Sequence, residues 1–232
     1  MRVLGLIPAR GGSTRLARKN LAVLDGETLV RRCLHTALRC PDLDAVCLSS
    51  DDEEILAEAA GLDGVIALRR PEALSGERAP VADAALHALD AIESDFDAVA
   101  LLQCTSPFTE PDDISDTLAL LARTGAECAV TVTRVEHALH PYKFKRLVGD
   151  RLEPLFEDDA GRAAADLPEV WVRNGSVYVA RRDLLERRTF ISEDCVALPM
   201  PPERSLDIND ARDLAVAEVM ARLTALRRDL DH

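Results

Sequence analysis

The chain has 232 residues, of which 47% are apolar and only 3% aromatic, and its formal net charge is −13. This length suffices for one domain with a full core of aliphatic side chains. The acidity argues against a nucleic-acid partner, which requires a basic face, and no apolar run is long enough to span a bilayer. Because no signal peptide is recognisable either, we expect a cytoplasmic protein without membrane contact.

Strands and helices alternate along the first 135 residues. Short apolar runs predict strands at residues 3–7, 45–49, 65–68, 98–102 and 128–135. Amphipathic or N-capped segments predict helices at residues 27–39, 50–61, 81–92 and 111–123. Such alternation predicts a three-layer, Rossmann-like α/β fold with a mostly parallel sheet, whose ligands bind at the carboxyl ends of the strands.

The pattern changes near residue 140. Gly149-Asp150 lies between two short extended runs, which predicts a hairpin, and residues 158–166 are polar and rich in alanine. Residues 171–180 return to extended structure, and residues 210–230 have the apolar spacing of a long helix. We therefore expect one domain over residues 1–232 with a small inserted arm at about residues 140–175.

A basic, glycine-rich loop follows the first predicted strand. Gly11 and Gly12 are accompanied by four cations within ten residues, namely Arg10, Arg15, Arg18 and Lys19. The glycines permit a tight turn that brings backbone N–H groups near an anion, and the cations can neutralise a polyphosphate. A basic surface turn after an edge strand is the alternative interpretation.

The order of motifs carries a family resemblance. Ile-Pro-Ala-Arg-Gly-Gly-Ser at residues 7–13, followed by Lys19-Asn20, resembles the opening signature of the acylneuraminate cytidylyltransferases, the CMP-sialic acid synthetases, with CMP-Kdo synthetase more distant. Later segments extend the resemblance to about residue 220; they lie at residues 70–75, 103–108, 141–143, 173–178 and 205–210. The resemblance implies a fold of the nucleotide-diphospho-sugar transferase type and a homodimer formed through the arm.

The same resemblance implies the site residues. CTP would contact Ala9, Arg10, Gly11, Gly12, Ser13, Arg15, Lys19, Asn20, Arg70 and Ser75. An acidic sugar would contact Gln103, Thr105, Ser106, Lys143, Arg173, Asn174 and Tyr178. Asp207 and Asn209 would bind Mg²⁺ or Mn²⁺, and Arg10, Lys19 and Asp207 would carry the catalysis. Asp207 and Asn209 would also suit a simple cap on the final helix, so this alternative stays open.

Several positions depart from the family pattern. Thr14, Cys104, Thr109, Ala164-Ala165 and Asn209 stand where the family usually has Lys, Pro, Arg, a polar pair and Asp. The predicted reaction is transfer of CMP from CTP to a 2-keto sugar acid such as a sialic acid-like nonulosonate. The departures leave two other hypotheses open: transfer to a different acidic acceptor, and nucleotide binding without turnover.

Overall fold

The computed structural model describes residues 1–12, 16–92, 94–155 and 167–230. Its strands are β1 (Val3–Pro8), β2 (Val23–Leu24), β3 (Glu27–Thr28), β4 (Ala45–Ser50), β5 (Val65–Arg69), β6 (Ala98–Leu102), β7 (Cys128–Arg134), β8 (Lys145–Val148), β9 (Arg151–Pro154), β10 (Trp171–Arg181) and β11 (Cys195–Pro199). Its α-helices are α1 (Leu29–Leu38), α2 (Glu53–Ala57), α3 (Val81–Ala91), α4 (Pro111–Thr124), α5 (Arg182–Glu186) and α6 (Ala211–Leu230).

A seven-stranded sheet in the order β11-β7-β10-β6-β1-β4-β5 forms the centre of the molecule. β1 runs parallel to β4 and β6, and β5 and β11 are parallel to their neighbours. The prediction of a mostly parallel sheet is therefore confirmed. The exception is β10, which lies antiparallel between β6 and β7 and joins the two parallel parts.

Helices cover both faces of the sheet, because successive side chains of a strand point to opposite sides. In β1, Val3 and Ile7 enter the core that includes α1 and α4. Leu4 and Leu6 enter the other core, with residues of α3 and α5. All four of these β1 side chains are almost fully buried, which explains why the strand reads as an uninterrupted apolar run.

Two predicted helices begin later than the sequence indicated, since polar side chains cap them. The Thr28 side chain accepts a hydrogen bond from the Arg31 N–H, so α1 begins at Leu29. Asp52 accepts from the Glu54 and Ile55 N–H groups, so the helix predicted over residues 50–61 begins at Glu53; it ends at Ala57. The edge strand β11 was not predicted.

The predicted hairpin is confirmed: β8 and β9 pair antiparallel around Gly149, whose φ of 60° favours glycine. The prediction for residues 158–166 lies outside the described residues. Within the part of the chain that is described, all six cysteines are free, as expected, and no helix is long and apolar enough to cross a membrane.

Candidate active site

A cleft of about 480 Å³ opens at the carboxyl ends of β1, β5 and β6. Eight of the residues singled out from the sequence line it: Arg10, Lys19, Asn20, Arg70, Ser75, Gln103, Thr105 and Asn209. They come from four separate stretches of the chain, namely the loop after β1, residues 70–75, residues 103–105 and Asn209. The sheet brings these stretches together because the carboxyl ends of parallel strands share one edge.

The loop after β1 is shaped by hydrogen bonds within the protein. The Asn20 side chain donates to the Arg10 carbonyl at 2.9 Å, and the Arg10 guanidinium donates to the Gly76 carbonyl at 3.3 Å. Gly11 must lack a side chain, since an added Cβ would lie 2.6 Å from a carboxylate oxygen of Asp52. These contacts fix where Arg10 and Asn20 enter the cleft.

Two backbone N–H groups of this loop are hydrogen-bonded within the protein, and the contact of Ala9 and Gly11 with CTP stays a prediction. The Ala9 N–H donates to the Ser49 carbonyl at 3.0 Å, and the Gly11 N–H donates to the Asp51 carboxylate at 3.1 Å. Arg10 and Lys19, which line the cleft, supply positive charge for an anion. Ser13 and Arg15, also predicted to bind CTP, lie outside the described residues, and Gly12 is exposed at the edge of the gap.

Arg70 is a buried cation at the base of the cleft, with only 6% of its surface exposed. Its Nε donates to Ser75 Oγ at 3.2 Å, and its Nη2 lies 3.9 Å from the Asp51 carboxylate. Burial lowers the pKa of the Arg70 guanidinium, Asp51 opposes this shift, and the like charge of Arg10 adds to it. The remaining N–H groups of such a fork suit neutral acceptors such as the O2 and N3 atoms of cytosine.

Asp51 contacts two parts of the candidate site but was not among the site residues predicted from the sequence. Its carboxylate contacts both the loop at Gly11 and the guanidinium of Arg70, so it connects the two predicted parts of a nucleotide site. The available signal was the position of Ser49-Ser50-Asp51 directly after a buried strand. The sequence places this segment among the loops at the carboxyl ends of strands, where ligands bind, but Asp51 itself was assigned only to a helix N-terminus.

Asp207 and Asn209 lie beside each other at the edge of this cleft. The Asn209 amide donates to Asp207 Oδ2 at 2.9 Å, which leaves the other carboxylate oxygen and the amide oxygen for a cation. The described residues contain no cluster of three or more His, Cys, Asp or Glu that would hold a metal alone. A hard cation such as Mg²⁺ still fits this oxygen pair, because it usually keeps waters and takes ligands from substrate phosphates.

The acceptor residues predicted after β6 fall into two groups. Gln103 and Thr105 line the cleft, whereas Ser106 is buried beside a small cavity that also touches Gln103 and Ser176. Neither the Ser106 nor the Ser176 hydroxyl has a hydrogen-bond partner within the described part of the chain.

Tyr178 is half-buried near Asp207. Burial raises the pKa of its phenol, the cation of Arg173 opposes that shift, and the carboxylate of Asp207 adds to it. The phenol hydroxyl can both donate and accept a hydrogen bond.

Three other predicted acceptor residues are not brought to the cleft. Asn174 is buried, and both atoms of its amide are already hydrogen-bonded within the protein. Its contact with the acceptor stays a prediction, although the amide is occupied by partners within the protein. Lys143 is exposed and contacts His137 at 2.8 Å, and Arg173 is exposed on β10. None of these three side chains is among those that line the cleft.

The basic loop, the buried arginine and the adjacent carboxylate, at the carboxyl edge of a mostly parallel sheet, define a nucleotide-binding α/β protein of the nucleotidyltransferase type. A family model described as cytidylyltransferase matches residues 4–191. The chain belongs to the cytidylyltransferase family.

Three curated relatives are similar over nearly the whole chain. It is 30% identical over 221 residues to N-acylneuraminate cytidylyltransferase of Escherichia coli O18:K1:H7, covering 93% of this chain and 51% of the relative. It is 29% identical to CMP-N,N′-diacetyllegionaminic acid synthase of Legionella pneumophila, covering 96% and 97%. Pseudaminic acid cytidylyltransferase of Campylobacter jejuni is 25% identical, with the same coverage. The chain thus spans about half the length of the E. coli relative and nearly all of the other two.

A solved structure supports the fold. CMP:2-keto-3-deoxy-manno-octonic acid synthetase complexed with CTP superimposes with a TM-score of 0.72 at 19% identity, covering 96% of this chain and 99% of that one. The expected nucleotide-diphospho-sugar transferase type of α/β fold is confirmed.

Proposed function

We propose that the chain transfers CMP from CTP to the anomeric hydroxyl of a sialic acid-like nonulosonate, releasing pyrophosphate. The observation that carries this proposal is the distribution of charged and neutral polar groups around the cleft that Arg10 and Arg70 line. Arg10 and Lys19 face it from the loop after β1, and Arg70 stands at its base. The neutral donors and acceptors of Gln103 and Thr105 occupy another stretch of its wall, where a sugar would be recognised.

The chain's own residues suit this displacement. Arg10 and Lys19 would hold the triphosphate and neutralise charge on the pyrophosphate as it leaves. The hydroxyl oxygen would form a bond to the α-phosphorus while the bond between the α-phosphorus and the bridging oxygen breaks, and the hydroxyl proton would pass to solvent. Asp207 and Asn209 would hold Mg²⁺ or Mn²⁺, which supplies neutralisation of phosphate charge when it is bound.

The acceptor class is taken from the relatives. Their names specify N-acylneuraminate, N,N′-diacetyllegionaminic acid and pseudaminic acid, all of which are acidic sugars. A pyrophosphate-release screen with CTP and Mg²⁺ should therefore include sialic, legionaminic, pseudaminic, deaminated-neuraminic and Kdo-type acids, with UTP as the nucleotide control. We expect release with CTP and at least one nonulosonate.

Two other outcomes of the screen would support the two alternative functions. Release only with an acid outside the nonulosonates would indicate a different acidic acceptor. CTP binding without release for any acid would indicate a nucleotide-binding homologue without turnover, the alternative that the departures at Thr14 and Asn209 leave open.

We further propose that the arm at about residues 140–175 packs on a second copy of the chain. β8 and β9 pair only with each other among the described strands, and an isolated hairpin is marginally stable in water. Leu147 and Leu152 lie opposite each other in this hairpin and are 68% and 69% exposed. Such paired apolar side chains are typical of a surface that a partner covers.

Light scattering at micromolar concentration tests the assembly. We expect a homodimer for the wild-type chain and a monomer for the double variant Leu147→Asp and Leu152→Asp. Leu223→Asp is the matched control, since Leu223 is 54% exposed on α6, away from the hairpin, and this variant should stay dimeric. A monomeric wild-type chain would contradict the proposal.

A further inference from the structure

An irregularity in β10 lies against the segment that carries Asp207. The pairing of β10 with β7 shifts register between Arg173 and Tyr178, and the residues between them leave the regular ladder. Gly175 has a φ of 84°, which favours glycine. A Cβ on Gly175 would lie 3.9 Å from Asp207 Cγ, so the main chain of the irregularity packs against that carboxyl group.

Asn174 lies within this irregular part of β10 and is held by hydrogen bonds; only 6% of its surface is exposed. Its amide oxygen accepts from the Thr131 hydroxyl at 2.7 Å and from the Ser176 N–H at 3.3 Å. Its amide nitrogen donates to Met200 Sδ at 3.2 Å and to Ser205 Oγ at 2.9 Å. All four hydrogen-bonding positions of the amide are therefore used, and none is left for a ligand.

Ser205 connects Asn174 to the segment before α6 by hydrogen bonds. Its hydroxyl donates to the Pro201 carbonyl at 2.8 Å while accepting from Asn174, which closes the turn that precedes Asp207. On the other side of Asp207, the Ile208 N–H donates to the Thr105 carbonyl at 2.8 Å. Asp207 is thus held between two anchors, one on β10 and one on the loop after β6.

We propose that Asn174 and Ser205 are positioning residues that hold the Asp207 carboxylate in place for a divalent cation bound with CTP. This inference rests on the proposed function, in which Asp207 serves that cation. A carboxylate that supplies one of few protein ligands must be oriented correctly before the cation arrives, because the cation takes its other ligands from water and substrate. The Asn174–Ser205 hydrogen bond restrains the segment that carries Asp207, and we propose that neither residue contacts CTP or the acceptor.

The test is the affinity for CTP, measured by titration calorimetry in EDTA and in Mg²⁺. The ratio of the two affinities isolates the contribution of the cation and requires no turnover. We expect a ratio well above one for the wild-type chain and close to one for Asp207→Asn. Ser205→Ala should lower the wild-type ratio at least threefold while leaving CTP affinity in EDTA unchanged.

Two further variants separate positioning from general damage. Ser205→Thr keeps the hydroxyl and should retain the wild-type ratio. Ser115, on α4, has another half-buried hydroxyl, which contacts Cys40 Sγ at 3.4 Å. Ser115→Ala removes this hydroxyl and should also leave the ratio of affinities unchanged. Thermal unfolding confirms that each variant is folded before titration.

The inference is overturned if Ser205→Ala keeps the full effect of Mg²⁺, or if Ser115→Ala loses as much of it. It also fails if wild-type CTP affinity does not respond to Mg²⁺ although pyrophosphate is released with an acceptor; the proposed function would then stand. Absence of CTP binding by the folded wild-type chain would overturn both.

Discussion

Replacing Asp51 with Asn should destabilise the folded chain, because it removes the carboxylate that faces the buried cation Arg70. The Asn side chain keeps an oxygen acceptor for the Gly11 N–H, so the change isolates the charge. At the observed separation of 3.9 Å and an effective dielectric constant of about 20, the attraction is about 4 kcal/mol. Removing one partner of a fully buried pair costs about 3–5 kcal/mol.

The expected loss is smaller than these limits. The Asp51 side chain is 30% exposed, so water screens part of the attraction, and Arg70 keeps its hydrogen bond to Ser75. We therefore expect the free energy of unfolding to fall by about 2 kcal/mol, which corresponds to roughly 4–8 °C in Tm for a chain of this size.

Urea denaturation without CTP is the suitable assay, since guanidinium chloride would screen the ion pair. Asp52→Asn is the matched control: Asp52 caps α2 through its side chain, and Asn caps as well as Asp. Only the helix-dipole contribution of its charge is lost, which is at most about 1 kcal/mol. If Asp51→Asn loses no more stability than Asp52→Asn, the pairing of Asp51 with Arg70 contributes nothing and the reasoning fails.

Three other changes test the site and the core. Lys19→Ala should weaken CTP binding about 10- to 150-fold by calorimetry, as expected for a charged hydrogen bond worth about 1.5–3 kcal/mol; unchanged affinity would mean that the loop is only a surface turn. Asp207→Asn should stay folded and lose Mg²⁺-dependent pyrophosphate release, whereas Asn209→Asp should tighten Mg²⁺ binding with turnover kept or raised; full activity of the first variant would place the metal site elsewhere. Hydrogen bonds from Arg188 hold the pKa of Asp83 below its usual 3.8, so this pair stabilises the fold fully above that pH and loses its contribution as pH falls through the folded-state pKa. Asp83→Asn should therefore lower stability at pH 7 and flatten the acid limb of the unfolding curve, and an unchanged acid limb would contradict the assignment.

Local features of the chain predicted several residues that line the cleft. The loop cations Arg10 and Lys19 lie close together in sequence, directly after a strand whose burial is evident from its composition, and both line the cleft. Asp207 and Asn209 are two residues apart, so their proximity required no long-range folding. Sequence motifs and hydrophobic periodicity were sufficient to predict which residues lie close together when those residues share one short segment.

Contacts between distant segments explain what the sequence did not show. Asp51 and Arg70 become neighbours only when β4 pairs with β5, so nothing near either residue indicates the partner. The amide of Asn174 bonds with Thr131 and Ser205, which are 43 and 31 residues away. The short motif that contains Asn174 does not show that its amide is hydrogen-bonded to residues elsewhere in the chain.

The sequence by itself determined the α/β class, the central buried strands, the basic loop and the family, because these depend on local composition and on the order of motifs. Only the tertiary structure decided the antiparallel placement of β10, the pairing of Asp51 with Arg70 and the internal role of Asn174. The physical reason is that hydrogen bonds and ion pairs are satisfied in space, and a buried polar group takes whichever partner the packed sheet brings within about 3 Å.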